Sequence, residues 1–159
     1  MKGIARCLHG KGSMHVLVGG RGTGKTLMGC QLIRYFAYRV GVSCMYRKLF
    51  EFLLDVKGTF DSRDSEQRVI SDFVAPQLLV LDEIQEKADN EWSRRLLTYM
   101  IDKRYDRMKH TVLIGNLETN DGDQAIIDCI GTSSYSRMIE TGGIVVCDWD
   151  SFRGTRHER

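Results

Sequence analysis

The stretch "GGRGTGKT", residues 19–26, decides how the rest of the chain is read. It fits the spacing G-x-x-x-x-G-K-[ST], with Gly19, Gly24, Lys25 and Thr26 at the restricted positions. Glycines let backbone N–H groups turn toward an anion without a Cβ in the way. A helix that starts here adds its partial positive charge. The flanks agree with this. "MHVLV" (14–18) is a short β-rich run, and in "KTLMGCQLIRYFAYRV" (25–40) the apolar Leu27, Cys30, Ile33, Phe36, Ala37 and Val40 recur at helical spacing, with Gly41 as its C-cap. Residues Gly19, Gly20, Arg21, Gly22, Thr23, Gly24, Lys25, Thr26 and Leu27 are therefore the expected phosphate-binding set. Lys25 is expected to reach the β- and γ-phosphates of a nucleotide, and Thr26 to offer its hydroxyl to Mg²⁺.

Outward from this loop, strands alternate with helices. "VSCMY" (42–46) reads as a second strand. It is followed by a helix over 48–57 with Leu49, Phe50, Leu53 and Leu54 inward, a loop "GTFDSRDSEQ", and a helix over about 64–74. "QLLVLD" (77–82) is a continuous apolar run, as expected for a strand covered on both faces. A helix over 91–108 places Trp92, Leu96, Tyr99, Met100 and Tyr105 near one side. "TVLIGN" (111–116) and "GIVVC" (143–147) supply two more strands, separated by a helix near 121–130. This order predicts an α/β fold of the P-loop NTPase class: a central parallel five-stranded sheet with helices on both faces. Ligands of such sheets bind beyond the carboxyl ends of the strands.

The second chemical signal lies at that edge. In "LLVLDE" (78–83), Asp82 ends a buried strand and is expected to hold Mg²⁺ through its water shell. Glu83, one residue on, suits a general base that polarises water for in-line attack on the γ-phosphate. A kinase brings its own acceptor hydroxyl and needs no such base, so Glu83 argues for ATP hydrolysis coupled to a conformational change. Asn116 ends the next strand at the same edge; in ATPases of this build a polar residue here touches the γ-phosphate or the attacking water, and a plain turn residue is the alternative.

Composition narrows the setting. With 159 residues, 42% apolar and 28% charged, the chain is one ordinary globular domain by length. No apolar run approaches the roughly 20 residues of a membrane span, and the first residues lack a signal-peptide core, so a cytoplasmic address is expected. Five scattered cysteines form no C-x-x-C and four histidines form no metal-ligand pair. The cysteines read as small buried hydrophobes in a reducing compartment. Net charge is only +2, but Arg94, Arg95, Lys103, Arg104, Arg107 and Lys109 cluster in 94–110, and Arg153, Arg156 and Arg159 in the tail. That distribution fits either a solvated helix face or a phosphate-tracking surface.

Taken with the ending "DWDSFR" (148–153), "GGRGTGKT", "LLVLDEI" and "DKRY…TVLIGN" resemble the AAA+ ATPase domain of DnaC-type replicative helicase loaders, over about residues 14–156. The resemblance implies that Arg153 is a sensor-2-like arginine reaching the nucleotide phosphates, with Trp149 and Phe152 as the packing that fixes its backbone. It also implies that Arg137, in "SSYSRMIETGG", is an arginine finger acting on ATP bound to a neighbouring subunit. A second arginine that the family carries four residues earlier is Ser133 here, a departure that bears on self-assembled turnover. Arg104 resembles an arginine near the subunit interface; a solvated helix arginine is the alternative. Only some 13 residues precede the first strand, so the expected layout is a short N-terminal extension (1–13) and the AAA+ domain (14–159). This leaves either a truncated or phage-type minimal form in a bacterial cell, or a partner held through another surface. The implied function is a partner-stimulated ATPase using ATP and Mg²⁺ in DNA replication, switching its affinity for a replicative DNA helicase or single-stranded DNA. It would self-associate or assemble with a related ATPase subunit, with no membrane involved. The alternatives are a transposition-helper ATPase and a nucleotide-gated interaction protein that caps a host loader or helicase with little turnover.

Overall fold

The computed structural model describes residues 12–59, 63–86, 91–117 and 123–154. Strands β1 (Met14–Gly19), β2 (Cys44–Lys48), β3 (Leu78–Asp82), β4 (His110–Ile114) and β5 (Gly143–Cys147) form one sheet in the order β2-β3-β4-β1-β5, every pairing parallel. All five residues of both β3 and β4 are buried; for β3 that is what its continuous apolar run demands of a strand covered on both faces, and in β4 the buried His110 and Thr111 are hydrogen-bonded. The helices are α1 (Lys25–Tyr35), α2 (Leu49–Lys57), α3 (Arg63–Val74), α4 (Glu91–Asp106), α5 (Gln124–Ile130) and α6 (Thr132–Thr141).

Strand alternation sends side chains into two cores. On one face Leu17, Leu78, Val80, Val112 and Ile114 meet Leu32 and Phe36 of α1 and the turn after it. On the other, Met14, Val16, Val18, Leu79, Leu81 and Leu113 meet α2 to α6. One described helix against five is an unequal division, but helices cover both faces, as the alternating pattern predicts.

The buried face of α1 differs from the expected stripe. Gly29, Leu32 and Phe36 turn inward, while Leu27 is 63% exposed and Cys30, Ala37 and Val40 also face outward. The reason is a residue without a side chain. A Cβ on Gly29 would lie within 2.8 Å of Ile114 Cδ1 and 2.9 Å of Val80 Cγ1, so its absence lets α1 close onto β3 and β4. The helix then widens into a π turn over Phe36–Val40 and ends at Gly41, whose φ of 74° is the expected left-handed C-cap. In α2 the inward residues are Leu49, Phe52, Leu53 and Val56, whereas Phe50 and Leu54 are exposed. Of the cysteines, Cys129 and Cys147 are buried as expected, Cys44 is partly exposed and Cys30 exposed; Cys7 lies outside the described residues.

Arg104 is the clearest correction. It is not a solvated helix arginine: it is fully buried near the end of α4. Its Nη1 donates to the carbonyls of Phe73 (2.9 Å), Val74 (3.3 Å) and Pro76 (3.1 Å), its Nε to Thr111 Oγ1 (2.9 Å), and its Nη2 to the His110 carbonyl. The last turn of α3 leaves carbonyls without helical partners, and the guanidinium fork supplies the donors. Burial pushes the guanidinium down to about 9, which still leaves it charged at neutral pH. The basic cluster of α4 thereby loses one member to the core.

Candidate functional site

β1 ends at Gly19, and the loop to α1 turns through Gly22 and Gly24, both at φ 84°. The outer side of this loop is held by the C-terminal segment. Trp149 Nε1 donates to the Thr23 carbonyl (2.9 Å) and the Phe152 N–H to the Gly22 carbonyl (3.1 Å). A Cβ on Gly22 would stand 2.0 Å from Ser151 Oγ, so only glycine fits between the loop and this segment. With those carbonyls satisfied from outside, the loop can present N–H groups to an anion on its inner side. Trp149 (41% exposed) and Phe152 (66% exposed) thus act at the loop itself, not as a cap on the core.

Lys25 is buried beneath the loop, its Nζ donating to the carbonyls of Gly19 (2.8 Å) and Gly20 (2.6 Å) and to Thr23 Oγ1 (3.2 Å). Burial lowers its pKa, an effect that the nearby Cys147 and Asp82 oppose. Thr23 Oγ1 also donates to the Gly20 carbonyl. Three donors converge on Asp82. Thr26 Oγ1 (2.7 Å) and the Tyr46 hydroxyl (2.8 Å) meet Oδ2, and the Glu83 N–H (2.7 Å) meets Oδ1. Glu83 follows at φ 58°, a left-handed conformation that non-glycine residues adopt at a cost. Its carboxylate pairs with Lys48 Nζ at 3.0 Å, which raises the pKa of Lys48.

These residues border a cleft of about 490 Å³ lined by Arg21, Gly22, Gly24, Lys25, Thr26, Leu27, Asp82, Glu83, Glu86, Ile114, Asn116 and Arg153. Asn116 is exposed at the mouth, its N–H donating to Gln85 Oε1. Arg153 enters from the short 3-10 turn Phe152–Gly154, so the last turn of the described chain and the loop after β1 face one space. Gly19, Gly20 and Thr23 form the floor of the loop without lining the cleft.

Arg137 is not among the lining residues. It sits on α6, paired with Asp102 of α4 and stacked over the Tyr105 ring at 5.0 Å. Ser133 is exposed in the first turn of the same helix. Arg156 and Arg159 lie outside the described residues. Sequence reading missed Tyr46, Lys48 and Glu86. For the first two a signal existed: strand period places Cys44, Tyr46 and Lys48 on one face of β2, at the edge where Asp82 ends β3.

The residues fit a nucleotide triphosphate. The glycine cradle excludes side chains from the phosphate position, a buried lysine lies under it, and Thr26 and Asp82 offer the hard oxygen donors that suit a divalent cation.

A parallel five-stranded sheet with this loop, this carboxylate pair and an arginine closing the cleft from the chain's end defines an AAA+ P-loop ATP-binding domain. The model for the IstB-like ATP binding protein family matches residues 10–159, and the chain belongs to that family. It is 24% identical over 140 residues to the replicative helicase loader DnaC of Escherichia coli K12, covering 87% of this chain and 55% of the relative. It is 23% identical over 141 residues to DnaC of Buchnera aphidicola from Acyrthosiphon pisum, again 87% and 55%. The chain therefore spans about half the length of these curated relatives. Among solved structures, the fold matches a DnaC helicase loader with a TM-score of 0.77 at 21% identity, covering 91% of this chain and 86% of that one. A DnaA replication initiator bound to AMPPCP and single-stranded DNA matches at 0.74 and 19% identity, covering 94% and 45%. Among the described residues, no helix is long and apolar enough to cross a membrane.

Proposed function

We propose that this chain is a helicase-loader-like ATPase of DNA replication that hydrolyses ATP with Mg²⁺ slowly alone and faster when assembled with its partners. One observation carries the reading. Lys25, Thr26, Asp82, Glu83, Asn116 and Arg153 share one cleft, while Arg137, partly exposed on α6, lies outside it. A site complete except for one cation suits a finger delivered by a neighbouring copy or related subunit, and such a finger is worth about 10³–10⁵ in rate. In this scheme Thr26 and Asp82 hold the metal, Lys25 leaves the loop carbonyls for the phosphates, Glu83 orients water, and Asn116 and Arg153 read the γ-phosphate. Hydrolysis then changes affinity for a replicative helicase or single-stranded DNA.

A surface for single-stranded DNA is compatible with this scheme. Between α3 and α4 runs a groove of about 400 Å³ lined by Glu66, Gln67, Ile70, Trp92, Arg95, Leu96 and Tyr99, with Arg95 also paired to Glu91 at 2.5 Å. Lys57 lies over the Trp92 ring at 5.6 Å and Lys103 over Tyr99 at 5.3 Å. Alternating aromatic and basic side chains on one helix face stack bases and track phosphates without demanding sequence.

A second reading, a nucleotide-gated interaction protein that caps a host loader or helicase, draws on Ser133 and on the Lys48 pairing that holds Glu83. One experiment separates these readings: ATP binding and ATP turnover of wild type, Lys25→Ala and Glu83→Gln, alone and with single-stranded DNA, duplex DNA or a replicative helicase. The loader reading expects stimulation by helicase or single strand, loss of ATP binding in Lys25→Ala, and retained binding with little turnover in Glu83→Gln. Stimulation by duplex alone points to a transposition helper. Absence of turnover under every condition favours the capping protein.

A further inference from the structure

The far end of β2 carries a contact that the nucleotide-site motifs do not account for. β2 and β3 run parallel with Tyr46 beside Val80 and Lys48 beside Asp82, so Tyr46 lies one strand over and two residues below the metal-side carboxylate. Its partly buried ring packs against the core cluster that includes Leu32 and Phe36, and the length of the phenol carries its hydroxyl up to Asp82 Oδ2 at 2.8 Å. Asp82 is itself 4% exposed. A carboxylate removed from water needs donors to stay charged and oriented.

Of the three donors on Asp82, only one is independent of the nucleotide chemistry. Thr26 Oγ1 now donates to Oδ2, but a hydroxyl that ligates a cation turns a lone pair to the metal and redirects its hydrogen. The Glu83 N–H belongs to the strained residue that must aim the base. Tyr46 remains, its ring packed against the core. Its phenol is an ordinary neutral hydroxyl at neutral pH and so a donor.

We propose that Tyr46 is a positioning residue for the metal side of the nucleotide site: its hydroxyl holds Asp82 Oδ2 in place when Thr26 swings to the cation, so that metal binding needs no reorientation of the carboxylate. This rests on the reading of Thr26 and Asp82 as the metal-side pair. Residues that orient a ligand from behind typically change metal affinity by about 10–100-fold when removed.

The test is binding rather than turnover. A fluorescent, non-hydrolysable ATP analogue is titrated onto the full chain, first in EDTA and then across a Mg²⁺ series, for wild type, Tyr46→Phe and Asp82→Asn, with thermal unfolding of each. Phe keeps the ring packing and removes one oxygen. Tyr46→Phe is expected to raise the Mg²⁺ midpoint on the order of tenfold, leaving metal-free affinity for the analogue unchanged. A structural role alone would move the melting temperature and the metal-free affinity together and leave the midpoint in place. A Tyr46→Phe midpoint equal to or below that of wild type, with Asp82→Asn impaired, overturns the role of Tyr46. A midpoint that Asp82→Asn also leaves in place overturns the metal-side reading, and this inference with it.

Discussion

Glu83 combines two costs that a purely structural carboxylate would avoid. Its backbone sits at φ 58°, and its side chain is held by Lys48 in a half-exposed ion pair. Exposed pairs contribute little to stability, so the consequence of this one lies in where the carboxylate points. With Lys48 attached, the Glu83 carboxylate is tied to the end of β2 instead of being free to orient a water. Lys48→Ala is expected to raise unstimulated ATP turnover and narrow the gap to the stimulated rate, with an unchanged melting temperature. Turnover and unfolding measured on the same preparation check this, and a fall in basal rate would show that Lys48 supports the base. The Asp82–Glu83 pair was legible in the sequence, because an apolar run ending in two acids is rare and its edge is set by topology. Of its partners Tyr46 and Lys48, strand period shows only that they share one face of β2; that they lie beside Asp82 is set by the β2–β3 register, which no spacing along the chain displays.

At the level of elements, α4 shows what a charge pattern hides. Arg104 stands in a run of basic residues, yet it fills the gap between the last turn of α3, the start of β4 and α4 itself. Arg104→Ala would leave several buried carbonyls without donors. It is expected to cost about 3 kcal/mol or more in urea or thermal unfolding, each unsatisfied group contributing about 1–3 kcal/mol. Arg104→Lys should recover only part, because an ammonium cannot match the planar fork. A loss below 1 kcal/mol would mean that water reaches those carbonyls. The strands were legible from period and from runs of β-formers, whereas helix faces were less so. In α1 the decisive inward residue is Gly29, which carries no hydrophobic signal, while the apolar Leu27 lines the cleft. Helix α6 escaped notice for the same reason: a Ser- and Thr-rich segment buries little beyond Ser134 and Met138. The ending "DWDSFR" was singled out through its resemblance to helicase loaders, and Arg153 does line the cleft. That Trp149 and Phe152 act by bonding the loop carbonyls needed the fold.

For the whole molecule, the two halves of the proposed reaction lie on different surfaces. The cleft takes Arg153 from the chain's own end, and Arg137 stands apart, held by Asp102 and the Tyr105 ring. In the proposed scheme Arg137 would have to leave this ion pair to act on a neighbour's ATP, and productive turnover would then depend on assembly. Mixing two defective variants tests this most directly. Arg137→Ala keeps an intact nucleotide cleft but lacks the finger, and Lys25→Ala keeps the finger but cannot hold the phosphates. With single-stranded DNA and helicase present, an equimolar mixture is predicted to hydrolyse ATP several-fold faster than the sum of the two variants measured separately. A mixture no faster than that sum, alongside a wild-type monomer at full rate without partners, would contradict the account.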